Sequence, residues 1–362
     1  MKKINLIKFL DKIVGRFFAH AFPNGGKNRY YDTLSPKRIL FIRPGGIGDA
    51  VILVPIIKSL KVNFSNIVVD VLAEKRNGQV FSLCHSVSKI YRYDKLRELF
   101  DVLRAAYDLV IDTEQWHRLS AVVARLTRAP MRIGFATNER EKLFTHKVRY
   151  SHDDHEIDSF ARLIELLMGD AAPDVKPPFL TVPESAQERA DAFLRPLQGR
   201  QFAALFAGGS INERQWGAAR FRVVARMLNE RGYGVIVVGG RKDIKAGREI
   251  VSDLSYALDM CGKATLPETA GVLKRAVLLI TGDSGIMHIA YGLGTPTVAL
   301  FGPGIEKKWA PRGERHVVIN KHLPCSPCTK FGYTPRCDKD AECMKQITVD
   351  DVYEQAIELL ER

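Results

Sequence analysis

Residues 279–303 read LITGDSGIMHIAYGLGTPTVALFGP, and this stretch decides the fold. Val277 to Ile280 is a short apolar run, the pattern of a strand buried on both faces of a parallel sheet. Thr281 to Gly285 is a glycine-bracketed turn, and Ile286 to Tyr291 opens a short helix. A second apolar strand, Thr297 to Phe301, follows and ends in Gly302-Pro303. A strand, a glycine turn and a helix N-terminus set backbone N–H groups and a positive dipole end at the sheet's C-terminal edge, where phosphates bind well. Asp283 can accept from sugar hydroxyls, and His288 stands one helical turn past Gly285 on the same side. A tight connection with Asp283 as N-cap and His288 in the core fits the same residues, so composition leaves both readings open.

Outward from this stretch, strands and helices alternate along the chain. Expected strands at Arg38–Ile42, Ile67–Leu72, Lys89–Tyr91, Leu109–Ile111, Phe202–Phe206 and Val235–Val238 are interleaved with helices at Ala50–Val62, Leu96–Ala106, Arg118–Leu126, Ile157–Met168, Ala218–Arg231, Ile244–Ser255 and Pro267–Lys274. The alternation predicts an α/β protein with parallel sheets and right-handed crossovers. Pro173, Pro177 and Pro178 mark an inter-domain linker, giving domains over residues 37–182 and 183–346, a C-terminal helix over 347–362 and an N-terminal extension over 1–36. Gly208-Gly209, Gly239-Gly240, Gly282 and Gly302 each close a strand and so share one sheet edge, where ligands bind.

A chain of 362 residues, 46% hydrophobic and 26% charged, suits two cored globular domains. Its net charge of +13 predicts an acidic partner. No aromatic-interleaved basic stripe or helix-turn-helix pattern points to nucleic acid. No apolar run is long enough to span a bilayer. Met1–Phe22 places Leu6, Leu10, Ile13 and Phe17 at helical spacing opposite Lys8, Lys12 and Arg16. That is either a basic amphipathic helix lying on an anionic leaflet or a helix packed on the first domain, and residues 23–36 read as a linker.

Several turns carry candidate chemistry. Arg43-Pro44-Gly45-Gly46-Ile47-Gly48-Asp49 is neither a dinucleotide fingerprint nor a Walker A loop, yet it sets flexible backbone and a carboxylate at the first βα turn. Asp49 reads as an N-cap before Ala50 or as a general base. In the stretch from Phe206 to Trp216, Gly208 and Gly209 allow close approach to a phosphate, Ser210 lies beside them and Arg214 can neutralise it; a surface loop before a helix reads the same. Gly239-Gly240 is a plain turn or a weaker ligand contact. Glu114 and Trp116, near Arg118, suit a sugar acceptor or an ordinary polar loop. His152 to His155 offers a metal pair or, more simply, a loop before a helix. Cys325, Cys328, Cys337 and Cys343 cluster in a polar loop and point to a structural zinc or iron ion, while Cys84 and Cys261 read as isolated buried thiols. A basic nucleic-acid binder with a metal finger is the competing class, but Asp338, Asp340 and Glu342 offset Lys339 and Lys345 there.

Three blocks together resemble glycosyltransferase family 9, the ADP-heptose:lipopolysaccharide heptosyltransferases: ILFIRPGGIGDAVILVP, GGSINERQWGAARF and DSGIMHIAYGLGTPTVALFGP. The Cys-Ser-Pro-Cys segment and Cys343-Met344 also look like that family's C-terminal end, and the likeness runs from Lys37 onward. The resemblance implies a GT-B fold of two Rossmann-like domains facing across a cleft, and inverting transfer without a catalytic cofactor. It implies Asp49 as general base, and the first domain's turns add Arg43, Gly46, Glu114 and Trp116 as expected acceptor-side residues. It also implies donor contacts from Arg214, Asp283, Ser284, Gly285 and His288, to which the glycine turns on the same sheet edge add Gly208, Gly209, Ser210, Gly239 and Gly240 as expected contacts. Gly208-Gly209 and Arg214 depart from the hydroxyl residues and the lysine of some members. The implied partners are an ADP-sugar, an anionic glycolipid acceptor and the inner-leaflet membrane surface of the cytoplasm, and no nucleic acid. Another nucleotide sugar or a protein acceptor is the alternative.

Overall fold

The computed structural model of the chain describes Asp11 and residues 15–21, 36–169, 171–330 and 333–362. The chain divides into two compact units, Met1–Lys176 and Pro177–Arg362. In the first, strands β1 (Arg38–Arg43), β2 (Val68–Ala73), β3 (Lys89–Arg92), β4 (Leu109–Asp112), β5 (Met131–Phe135) and β6 (His146–Val148) make an all-parallel sheet. Its spatial order is β3-β2-β1-β4-β5-β6. In the second, β7 (Phe202–Phe206), β8 (Gly234–Val237), β9 (Ala257–Asp259), β10 (Leu278–Gly282), β11 (Thr297–Phe301) and β12 (His316–Asn320) follow the order β9-β8-β7-β10-β11-β12. Counted within each unit, both orders are 3-2-1-4-5-6, the dinucleotide-binding arrangement. Each sheet therefore reverses direction of winding once, between β1 and β4 and between β7 and β10.

The central strands are buried along their length, as their unbroken apolar runs require. Leu205, Ile280, Val298 and Leu300 pack with Phe221, Val224 and the C-terminal helix Val349–Glu361 in the second core. Leu40, Ile42 and Val110 pack with Val122 and Phe144 in the first. The helix expected over 157–168 is broken into Glu156–Arg162 and Glu165–Met168. His155 is buried and caps the first piece, its Nδ1 accepting from the Ile157 N–H at 3.3 Å, so this histidine serves a helix start, while the exposed His152 lies edge-on to the Tyr150 ring.

Of the amphipathic helix expected over 1–22, Arg16–Ala21 is helical; apart from Asp11 and Gly15 the remainder lies outside the described residues, as does the linker over 23–35. Asp11 is packed on the first unit. Its Oδ1 accepts from the Arg118 and Leu119 N–H groups at 2.7 and 2.8 Å and so caps the helix Arg118–Leu126 from outside. Among the described residues no helix is long and apolar enough to cross a membrane.

Candidate active site

The winding of a doubly wound sheet reverses where two adjacent crossovers leave on opposite faces, and the strand ends there form a crevice for ligands. In the first unit those ends belong to β1 and β4. The chain leaves β1 through Pro44-Gly45-Gly46, with Gly45 at φ +114°, a conformation that strains any residue bearing a Cβ. The following helix starts at Ile47 with Gly46 as N-cap, not at Ala50 with Asp49 as its cap. Asp49 makes no capping hydrogen bond and lies in the first turn, so its carboxylate is left for other work. Its side chain retains 20% of its exposure, the face open to an incoming group.

Arg43 anchors this pocket from below. It is buried, its Nη1 donates to the Thr113 carbonyl at 2.8 Å and its Nε to the Pro44 carbonyl at 2.8 Å. Its Nη2 lies 3.9 Å from Asp49 Oδ2, 3.3 Å from Glu114 Oε2 and 3.5 Å from Gln115 Oε1. Gln115 in turn donates to the fully buried Glu156, which also accepts from the Tyr150 hydroxyl at 2.7 Å. Burial raises the pKa of Asp49 to about 6, with Arg43 opposing and the charges of Glu156 and Glu114 adding to the rise. Glu114 differs: burial also opposes its charge, but Arg43, His117 and Arg140 hold its carboxyl below the usual range. Glu114 Oε1 also accepts from the Trp116 and His117 N–H groups at 3.1 and 3.3 Å, which fixes the loop and leaves the Trp116 ring 45% exposed. One carboxylate poised near neutrality beside one held ionised is the pairing that acid–base chemistry uses.

Beneath the loop, Arg140 and Asp112 form an ion pair at 2.6 Å with neither side chain exposed. The remaining Arg140 donors reach the Glu114 and His117 carbonyls. The expected sites thus gather: Arg43, Gly46, Asp49 and Glu114 share one crevice and Trp116 flanks it. Gln115, Arg140, Tyr150 and Glu156 belong to the same network and were not expected. Gln115 stands between Glu114 and Trp116, whereas Arg140, Tyr150 and Glu156 arrive from distant sequence with no local signal.

In the second unit the strand ends belong to β7 and β10. Ser284, not Asp283, caps the helix Gly285–Leu293, its Oγ accepting from the Met287 N–H at 3.2 Å and lying 3.1 Å from Thr281 Oγ1. Asp283 instead meets Arg214, Nη1 to Oδ2 at 2.7 Å. The N–H bonds do not point along this contact, and among the described residues Asp283 Oδ2 and Arg214 Nε are buried without an aligned hydrogen bond. Burial raises the Asp283 carboxyl above the usual range and Arg214 opposes the shift. A Cβ on Gly282 would stand 2.9 Å from the Arg214 carbonyl, so only glycine lets the Arg214 loop lie against the end of β10. His288 is buried with its ring edge-on to Trp309, centroids 6.4 Å apart, as the core reading of that residue expected.

Gly208 and Gly239-Gly240 converge on a residue outside the expected set, Asp243. Its carboxylate occupies the space a Gly208 side chain would need and accepts from the Gly240 N–H at 2.8 Å. Gly209 accepts through its carbonyl from Gln215 at 3.3 Å, and Ser210 is exposed. The second unit thus offers helix-start amides beside Gly285, a guanidinium and two carboxylate-bearing turns, a set suited to an anionic, hydroxyl-rich ligand.

Cys325, Cys328, Cys337 and Cys343 line one cavity with Glu213 and Arg336. Among the described residues, however, no group of three or more His, Cys, Asp or Glu side chains is arranged to hold a metal ion. Cys343 belongs to the hydrophobic core, pressed against Gly302, and Cys337 Sγ accepts from the Ala341 N–H at 3.3 Å. Cys325 is exposed. Cys84 and Cys261 are buried singly, as expected, and burial pushes both thiols up.

The chain is similar to known proteins in sequence and in fold. The sequence profile of glycosyltransferase family 9 (heptosyltransferase) matches residues 96–336. Lipopolysaccharide heptosyltransferase 3 of Escherichia coli is 27% identical over 295 residues, 73% of this chain and 83% of that protein. Lipooligosaccharide heptosyltransferase 2 of Haemophilus influenzae is 26% identical over 317 residues, 78% of this chain and 88% of that protein. In structure, the ADP-heptose lipopolysaccharide heptosyltransferase II of E. coli superimposes with a TM-score of 0.72 at 20% identity, over 90% of this chain and 98% of that one.

Proposed function

The chain belongs to glycosyltransferase family 9, the heptosyltransferases, and we propose that it moves a heptose from ADP-heptose to a phosphorylated lipopolysaccharide-core acceptor, inverting the anomeric centre. The acceptor hydroxyl attacks the anomeric carbon as the bond from that carbon to the diphosphate oxygen breaks. Asp49 takes the hydroxyl proton and ADP departs as the anion. The developing charge on the diphosphate is met by Arg214 and by the amides at the start of the Gly285–Leu293 helix. Asp283 serves the donor twice, as an acceptor for sugar hydroxyls and as the partner of Arg214. Arg43, Gly46, Glu114 and Trp116 shape the acceptor side. The observation that supports this reading most is the Asp49 carboxylate at a sheet switch point, unused as a cap, with its pKa raised to about 6.

The formal charge of +13 suits an anionic glycolipid, and we place the enzyme at the inner face of the cytoplasmic membrane, peripheral to it. A screen of ADP-, UDP- and GDP-sugars against a heptose-terminated core acceptor tests the function; turnover with a UDP- or GDP-sugar alone would overturn the donor.

Two further expectations follow from the site. A base must be deprotonated to act, so kcat/KM rises with pH through about 6 and then levels, a limb that reports Asp49 in the free enzyme. A profile flat from pH 5 to 8 contradicts the assignment. Replacing Asp283 by alanine weakens ADP-heptose binding roughly tenfold or more, since both a charge-assisted contact and the support of Arg214 are lost. Unchanged or tighter binding by calorimetry counts against that role.

A further inference from the structure

The cysteine-bearing loop after β12 reaches the donor arginine through two hydroxyls. Arg214 Nη2 donates to Thr329 Oγ1 and to Thr334 Oγ1, both at 3.3 Å, and the two hydroxyls are 2.9 Å from one another. The loop folds back on itself between them, with an antiparallel bridge joining Lys330 to Tyr333. It is pinned to the end of β11: the Thr329 N–H donates to the Pro303 carbonyl at 2.9 Å, and the Ser326 hydroxyl donates to the Gly302 carbonyl. Thr329 is buried and Thr334 half-buried. Two anchored hydroxyls thus accept from one guanidinium nitrogen, while Asp283 lies against the other.

We propose that Thr329 and Thr334 are positioning residues that orient Arg214 for the donor's diphosphate, which makes the cysteine loop part of the donor site. The proposal rests on the reading of Arg214 as the diphosphate contact. Neutral oxygens fit this task. A guanidinium carries its specificity in the plane of its N–H fork, and an unsupported long side chain loses that orientation to rotamer freedom. A carboxylate in place of either threonine would hold the plane but cancel the charge that the phosphate needs. Hydroxyls hold the plane and leave the charge intact.

The test titrates ADP and adenosine separately into the full chain by calorimetry. The variants are T329V/T334V, which keeps side-chain shape without hydroxyls, T329S/T334S, which keeps the hydroxyls, and R214A. We expect the valine pair to weaken ADP about tenfold, the serine pair to stay within about twofold of the parent, and adenosine affinity to be unmoved by either. If R214A leaves ADP affinity unchanged, or ADP fails to bind the parent, the reading of Arg214 is wrong and the proposal falls with it. If R214A weakens ADP but the valine pair does not, the positioning role alone is overturned. Equal loss of adenosine affinity, or serine no better than valine, would mean the threonines only hold the loop, and also overturns it. Should the valine pair fail to fold, T334V alone carries the same expectations, with a loss of about threefold for ADP.

Discussion

Replacing Asp49 by asparagine is expected to lower the transfer rate about a thousandfold and to leave ADP affinity where it was, since Asp49 lies in the first unit and the proposed nucleotide contacts lie in the second. Asparagine keeps the shape and cannot take a proton. The fold does not need the carboxylate, because the helix after β1 is capped at Gly46 and Asp49 makes no capping bond. Its ionisation in fact works against the fold. The folded pKa of about 6 stands above the ordinary 3.8, so the unfolded chain ionises more readily and stability falls as pH rises from about 4 to about 6. At neutral pH the asparagine variant should therefore melt no lower than the parent. Product formation from purified donor and acceptor, followed beside a melting curve, checks both halves. Turnover within tenfold of the parent would remove Asp49 from the role of base, and a lower melting temperature would contradict its burial argument.

The largest stability effect is expected one layer below, at Arg140 and Asp112. Neither side chain is exposed, and they meet at 2.6 Å. Burial pushes the Asp112 carboxyl upward and Arg140 opposes that shift. Arg140→Met leaves an uncompensated carboxylate in the interior and orphans the Glu114 and His117 carbonyls that Arg140 serves. The loss should be roughly 3–5 kcal/mol in the first unit's unfolding transition, read by urea denaturation. Adding Asp112→Leu should restore part of it, because an apolar pair of similar volume avoids the stranded charge. A single-variant loss under about 1 kcal/mol would show that water or another group compensates Asp112.

Much of the architecture was legible because central parallel strands are buried on both faces. LVID, FAALF and TVALF are unbroken apolar runs or nearly so, and the glycines after the strands mark their exits. Strand β5 escaped notice because Arg132 and Gly134 interrupt MRIGF. Arg132 is nevertheless buried, its guanidinium bonded to the Ala129 and Leu143 carbonyls, a solution no linear pattern records. The edge strands β6, β9 and β12 are half-exposed or short, so their composition carries little signal. The helix Glu184–Leu194 is mostly polar and buries only Ala186 and Ala190.

At the site, glycine turns and carboxylates were readable, whereas partners were not. Asp49 and Asp283 each looked like an N-cap, and each lost that role to the residue that the local backbone favoured, Gly46 and Ser284. The reason is the true start of the helix, which a propensity argument places only within a few residues. Arg214 was visible as a phosphate contact, but Thr329 and Thr334, more than a hundred residues later, become its neighbours only through the sheet. The cysteine spacing suggested a metal; the four thiols line one cavity, and Cys343 also packs in the core.

The repeated strand order bears on how the chain comes into being. Among the described residues neither sheet borrows a strand from the other half, and the first six strands end at Val148, before residue 176 closes the first unit. A ribosome synthesising from the N-terminus therefore releases a complete hydrogen-bonded sheet before the second sheet's first strand at Phe202 exists. The two halves can fold one after the other, each resolving its own long-range parallel pairings among six strands instead of twelve, which limits mispairing between them during synthesis.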